Sequence, residues 1–173
     1  FSDKTIIDAL SWMETGDKSK SKNIGEAYNI LPDVGLLAKN IKKMGIDKAC
    51  KNVSPVVGIP VLPMLAQRLK SPAEMIEKMG VVFVEPKFDG LRVLIHYRKL
   101  RKEEIKKQGN KKEDSELDQN DDLVKAFTRN SNNVTEMFPE IQRIGEFVKC
   151  DEVILDSEAV GMDPEMKRLL DFQ

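Results

Sequence analysis

The stretch that decides how this chain is interpreted lies at residues 85–92 and reads Glu-Pro-Lys-Phe-Asp-Gly-Leu-Arg. Residues 91–98 after it alternate and carry β-branched side chains, which predicts a strand, and the apolar run at residues 81–85 before it predicts another. Asp-Gly between two strands is a strong turn signal. Taken alone, the stretch therefore fits either a polar hairpin or a site built around Lys87.

Upstream, the chain favours helices. Residues 1–52 carry apolar side chains at helical spacing, with Ser2 and Asp33 as predicted N-caps and Gly45 as a predicted C-terminal cap. Proline and glycine crowd residues 53–63, which predicts a domain boundary there. We therefore predict an α+β chain, with a helical segment at 1–52 and, at 53–173, antiparallel sheet with flanking helices.

Downstream of residue 98, the residue patterns predict further strands and one helix. Residues 123–129 predict a strand, and residues 139–149 predict a helix with Phe147 inward. Two further strands are predicted at 153–156 and 159–162, on either side of Ser157-Glu158. Residues 99–122 are mostly charged, which predicts an exposed extension between two strands.

Composition bounds the class of protein. The 173 residues are 40% hydrophobic, enough for a core, and carry 28 basic against 29 acidic side chains. A net charge of -1 neither supports nor excludes nucleic acid, because phosphates respond to local fields. No apolar run approaches the ~20 residues of a membrane span. We expect Cys50 and Cys150 to be ordinary thiols, His96 to be structural, and the protein to be cytoplasmic and monomeric, without a membrane partner.

Four short strings, taken together, resemble the motifs of the ATP-dependent DNA ligases. Residues 85–92 resemble the family's nucleotidyltransferase motif, and Phe-Thr-Arg-Asn at 127–130 resembles its Ser-Arg-Asn signature. Residues 154–160 resemble the third motif, and residues 171–173 resemble its Pro-Phe-Gln segment with Asp171 in place of proline. Their common order and spacing make chance a poor explanation.

The resemblance extends upstream as well. Pro-Val-Leu-Pro-Met-Leu-Ala at residues 60–66 is similar to the opening of the ligase catalytic domain. Residues 8–12, 27–29 and 32–35 resemble the end of the helical DNA-binding domain of bacterial and archaeal ligases. Only residues 99–122 fall outside the resemblance, being longer and more charged than usual there.

The resemblance implies a role for each site residue. Lys87 would take AMP from ATP, and Glu85 would frame the adenine through its backbone. Arg92 and Arg129 would lie near the ribose, the phosphates or the nicked DNA end, because guanidinium groups suit oxygen-rich ligands. Glu158 would contact the ribose or a Mg²⁺ ion.

The chemistry sets conditions on this site. Nucleophilic attack needs a neutral amine, whereas an ordinary lysine is protonated at neutral pH. A nearby arginine and a Mg²⁺ ion would disfavour the ammonium form, which is the reason to expect a metal. We assign Asp89 a positional role, and Gly90 either a turn conformation or a close backbone approach.

The resemblance implies an enzyme that seals nicks in duplex DNA through a lysyl-AMP intermediate. An RNA ligase or an mRNA-capping enzyme shares the lysine motif and remains an alternative. A non-catalytic DNA-binding scaffold is a second alternative, which a covalent-adduct test separates. The family's downstream lysines and OB-fold domain are not in this sequence, so we expect the segment alone not to seal DNA.

Overall fold

The computed structural model describes residues 2–100, 122–165 and 167–170. The chain divides into two compact units, Phe1–Leu62 with Arg92–Ser157, and Pro63–Leu91 with Glu158–Gln173. Helices and small antiparallel sheets occur together, which confirms the predicted α+β class. The boundary predicted at residue 53 stays a prediction.

Four helices open the first unit, and two of their starts are the predicted ones. They are α1 (Asp3–Thr15), α2 (Ser21–Ile30), α3 (Val34–Met44) and α4 (Ile46–Lys51). The Ser2 side chain accepts a hydrogen bond from the Thr5 backbone N–H, and Asp33 accepts one from Leu36, so both satisfy donors that a helix start leaves unpaired. Gly45 ends α3 at a φ of 80°, a conformation that favours glycine.

The helices bury one continuous apolar cluster. Ile24, Leu37 and Ile41 are fully buried at its centre. The cluster consists of Ile7, Leu10, Ile24, Ala27, Leu37, Ile41, Ile46 and Ala49. Because these positions recur at helical spacing, each helix turns one stripe inward. Within the described ranges, no helix is long and apolar enough to cross a membrane.

A three-stranded sheet follows. Its strands are β1 (Leu91–Arg98), β2 (Leu123–Thr128) and β3 (Glu152–Ala159), in the order β2-β1-β3. Strands β1 and β2 are antiparallel, with Val93 opposite Thr128. The strand predicted at residues 91–98 is therefore confirmed. The predicted break at Ser157-Glu158 is wrong, because β3 runs through both residues to Ala159. The predicted strand at 159–162 is wrong as a continuous element, because residues 160–161 belong to no strand.

Two 3₁₀ helices, Thr135–Met137 and Pro139–Glu146, connect β2 to β3. A helix was predicted from residue 139, but the observed one is of the 3₁₀ type and ends at Glu146. Phe147 therefore lies beyond it and is 74% exposed, so its predicted inward orientation is wrong.

The second unit contains α5 (Pro72–Met79) and a two-stranded sheet of β4 (Met162–Asp163) with β5 (Arg168–Leu169). The strand predicted at 81–85 is wrong: residues 82–89, all described, adopt neither helix nor strand. An apolar run forms a strand only when another strand satisfies its backbone groups, and no described strand pairs with this run.

Candidate functional site

The segment that carries Lys87 follows a well-defined helix. Ser71 begins α5 by accepting a hydrogen bond from the Glu74 backbone N–H at 3.2 Å, while the Glu74 carboxylate accepts one from the Lys70 N–H at 3.0 Å. This reciprocal pair resembles a capping box shifted by one residue. Gly80 ends the helix with a φ of 71°. Glu85 and Lys87 follow in the irregular segment, and both are exposed.

Gly90 explains how this segment meets β3. A Cβ at Gly90 would clash with the carbonyl oxygen of Ala159 and would lie 2.9 Å from Val160 Cγ1 and 3.1 Å from Glu158 Cγ. The φ of Gly90 is not in the left-handed region. Of the two roles predicted for this glycine, the close backbone approach is therefore confirmed and the turn conformation is not. Within the second unit, the approach brings the chain three residues after Lys87 against Glu158.

Arg92, at the start of β1, makes a two-pronged contact with Asp156 of β3. Its Nε donates to Asp156 Oδ1 at 2.7 Å, and its Nη2 donates to Asp156 Oδ2 at 2.8 Å. These bonds hold the pKa of the Asp156 carboxyl below its ordinary value. The motif assignment left Asp156 out. Strand alternation gives a signal for it, because Asp156 and Glu158 are two apart and share a face of β3.

Arg129 is exposed in the tight turn that follows β2. The Ser131 N–H donates to the Thr128 carbonyl at 2.9 Å, and the Thr128 N–H donates to the Asn132 carbonyl at 3.0 Å. Ser131 adopts a positive φ of 61° within this turn. The local backbone therefore presents the Arg129 side chain to solvent at the end of a strand.

His96 occupies the middle of β1 and is fully buried. Its Nδ1 accepts a hydrogen bond from the Gly58 N–H at 2.9 Å, and its ring meets Phe127 edge-on with centroids 5.1 Å apart. Burial first, and the charge of Lys125 second, lower the pKa of His96 to about 4. These contacts agree with the structural role predicted for the ring.

Among the described residues, no group of three or more histidine, cysteine or acidic side chains is placed to hold a metal ion. The metal contact predicted for Glu158 therefore stays a prediction. Mg²⁺ commonly uses one or two carboxylates together with substrate phosphates and water. The absence of a larger ligand group among the described residues therefore does not argue against such an ion.

An open cavity of about 660 Å³ lies elsewhere, in the first unit. It is lined mainly by α1 and α2 together with Leu62, whose N–H donates a hydrogen bond to the Asn29 carbonyl at 3.2 Å. None of the predicted site residues lines it. This cavity therefore does not mark the candidate site.

The predicted site residues fall in both units. Glu85, Lys87 and Glu158 belong to the second unit, and Arg92 and Arg129 belong to the first. Their individual roles stay predictions. The motif predicted at 171–173 and residues 101–121 of the charged insertion lie outside the described residues.

Comparison with known proteins identifies the family. Residues 98–173 match the family model described as ATP dependent DNA ligase domain. The DNA ligase of Sulfurisphaera tokodaii is 38% identical over 173 residues, covering 99% of this chain and 25% of that protein. The DNA ligase of Hyperthermus butylicus and DNA ligase 2 of Korarchaeum cryptofilum are each 35% identical over the same shares. This chain belongs to the ATP-dependent DNA ligase family, and it spans about a quarter of the length of these relatives.

Proposed function

We propose that this chain is the part of an ATP-dependent DNA ligase that carries the nucleophile, and that the full-length protein seals nicks in duplex DNA. The observation that carries the proposal is the packing of Gly90 against Glu158. It brings the Lys87 segment to the carboxylate that the family resemblance assigns to the nucleotide site. The ordered motifs and the family membership support the same conclusion.

Lys87 is the nucleophile in this proposal. The lone pair of its neutral Nζ attacks the α-phosphorus of ATP, the bond to pyrophosphate breaks, and the Nζ proton is released. The AMP then passes from Lys87 to a 5′-phosphate at the nick, which regenerates the amine. Finally the neighbouring 3′-hydroxyl attacks that phosphate and AMP leaves. The exposure of Lys87 in an irregular segment leaves it accessible to a nucleotide.

The other site residues bind and orient. Glu85 frames the adenine through its backbone, and Glu158 contacts the ribose. Arg92 and Arg129 bind the ribose, the phosphates or the nicked end, where fixed positive charge stabilises the pentavalent transition state. Arg92 lies near the start of β1, and Arg129 directly follows the end of β2.

Glu158 would also hold Mg²⁺ through an outer contact. The ion would neutralise charge on the triphosphate and favour departure of pyrophosphate. We propose this ion on the chemistry of the donor set and on the family resemblance.

Nicked duplex DNA is the proposed partner, and residues 1–52 would be the C-terminal part of a helical domain that binds it. Exposed lysines such as Lys42, Lys43 and Lys48 on α3 and α4 fit the phosphate backbone. We propose that the protein acts as a monomer in the cytoplasm.

The first test is covalent labelling. The full-length protein that carries this sequence, and the 173-residue chain, are incubated with α-labelled ATP and Mg²⁺. We expect an acid-labile, alkali-stable label on the full-length protein. Lys87→Ala should abolish it, while Lys70→Ala, an exposed lysine of the same unit, should leave it unchanged.

Label that survives in folded Lys87→Ala would overturn the assignment of the nucleophile. A folded full-length protein that takes no label would favour the scaffold alternative. Labelling by α-labelled GTP in place of ATP would favour the capping-type alternative.

A further inference from the structure

Arg92 and Asp156 stand 64 positions apart in sequence, yet they form a fork of two nearly equal hydrogen bonds of 2.7 and 2.8 Å. Such a fork fixes the plane of a guanidinium group as well as its position. Asp156 therefore sets the direction in which the remaining N–H groups of Arg92 point.

The backbones that carry this pair are also fixed. The next residue on each strand contributes a second link, since the Ser157 hydroxyl donates to the Val93 carbonyl at 2.7 Å. Strands β1 and β3 are hydrogen-bonded neighbours in the sheet. The two residues of the fork thus lie on adjacent strands that are hydrogen-bonded to each other next to the fork.

The Arg92–Asp156 pair is only partly buried. The side chain of Arg92 is 34% exposed and that of Asp156 is 57% exposed. Water screens ion pairs at such exposures, which reduces what this pair adds to the free energy of unfolding. The consequence of the fork that concerns the predicted site is the fixed orientation of the Arg92 guanidinium.

We propose that Asp156 is a positioning residue, which holds the Arg92 guanidinium in the orientation that binds the nucleotide or the nick phosphate. This inference rests on the proposed function and deepens it by assigning a role to a residue outside the predicted site. Asp156 acts through Arg92 and does not itself touch the reacting atoms. Arginine is required at the other end of the fork, because a lysine ammonium cannot form it.

The chain offers a matched control. Arg143 and Glu146 form the same fork, with bonds of 2.8 and 2.7 Å, and are 68% and 34% exposed. This pair is three residues apart on a 3₁₀ helix and includes none of the predicted site residues. Glu146→Gln therefore removes an equivalent ion pair away from the assigned site.

The test measures the rate of Lys87 adenylylation in the full-length protein over a range of ATP concentrations. Asp156→Asn keeps the side-chain volume but cannot accept both hydrogen bonds. We expect its rate to fall by about 10- to 100-fold, the loss typical of a misplaced binding group. Glu146→Gln should stay within about 2-fold of wild type, and both variants should share the wild-type thermal midpoint to within a few degrees.

A double substitution separates orientation from an independent effect. If Asp156 acts through Arg92, then Asp156→Asn should cost less than about 3-fold when added to Arg92→Lys. If Asp156→Asn lowers the adenylylation rate equally in the wild-type and Arg92→Lys backgrounds, the inference is overturned. It is also overturned if the Asp156→Asn protein is unfolded, or if its adenylylation rate equals that of Glu146→Gln. An unlabelled wild-type protein would overturn the proposed function and this inference with it, whereas the other outcomes leave the proposed function standing.

Discussion

The helices of residues 3–51 and the segment at 81–90 differ in how their apolar side chains are used. In the helices, Leu37 and Ile41 are fully buried. In the segment, Val81, Phe83 and Val84 are 92%, 103% and 90% exposed. Similar residue types thus build a closed core in one region and a solvent-exposed surface in the other.

The difference follows from where the backbone hydrogen bonds are made. A helix satisfies most of its N–H and carbonyl groups within four residues, so an amphipathic sequence with good caps specifies it locally. An extended run needs a second strand, which the sequence of the run does not specify. The Lys87 segment is thus defined by its contacts with other parts of the chain, above all at Gly90.

The largest effect is expected from adding a methyl group to the Lys87 segment, compared with adding one to a helix. Gly90→Ala puts a Cβ into the Ala159 carbonyl and against Glu158, so the Lys87 segment must shift. We expect labelling of Lys87 in the full-length protein to fall by about 100-fold, because small displacements of reacting groups are costly.

The matched control for this change is Gly25→Ala. Gly25 lies inside α2, and among the described residues nothing outside the local helix backbone lies within 4 Å of its added Cβ. Alanine should therefore raise the free energy of unfolding by up to about 1 kcal/mol without changing the labelling rate. Normal labelling in Gly90→Ala would show that the close approach is dispensable.

The second test compares core truncations in the 173-residue chain by urea unfolding. Leu37→Ala should lower the free energy of unfolding by about 2–5 kcal/mol, since it leaves a cavity in a fully buried cluster. Phe83→Ala should change it by less than about 0.5 kcal/mol, because the ring is exposed. A large loss from Phe83→Ala would show that the segment is packed in solution and would remove the contrast.

The smallest effect tests whether the interior of the sheet in the first unit excludes water, as the helical core does. The pKa of His96 is lowered from 6.5 to about 4. Between these values the unfolded chain binds a proton that the folded chain does not, so stability falls as pH falls. From pH 7.5 to 5 this should cost about 2 kcal/mol in the free energy of unfolding.

His96→Gln removes the titrating ring and should flatten that part of the pH profile. Carboxyl groups with lowered pKa values, such as Asp8 and Asp156, also make the folded protein less stable as the pH falls, but at lower pH. Both the wild type and His96→Gln carry these groups. The difference between their pH profiles therefore isolates the contribution of His96. Equal losses in both would mean that the ring is hydrated and that its hydrogen bond with Gly58 is not maintained.

Much of the local structure could be predicted from residue patterns. Ser2 and Asp33 were predicted as helix caps, and each accepts the expected backbone hydrogen bond. Strand β1 has the predicted bounds. These features depend on a few neighbouring residues, so short patterns suffice to specify them.

Three of the features that residue patterns missed depend on distant partners. The run at 81–85 resembles a strand but has no described strand beside it, and β3 continues through Ser157 because β1 pairs along it. The contact of Arg92 with Asp156 joins positions 64 apart. No local pattern states which carboxylate an arginine will meet.

The sequence by itself determined the α+β class, the capped helices, the identity of Lys87 as the candidate nucleophile and the resemblance to the ligase family. The tertiary structure alone decided that Gly90 serves a close approach to Glu158 and that Asp156 accepts two hydrogen bonds from Arg92. The physical reason is range. Caps, turns and amphipathic stripes involve residues within a few positions, whereas a binding site joins side chains that only the folded backbone brings together.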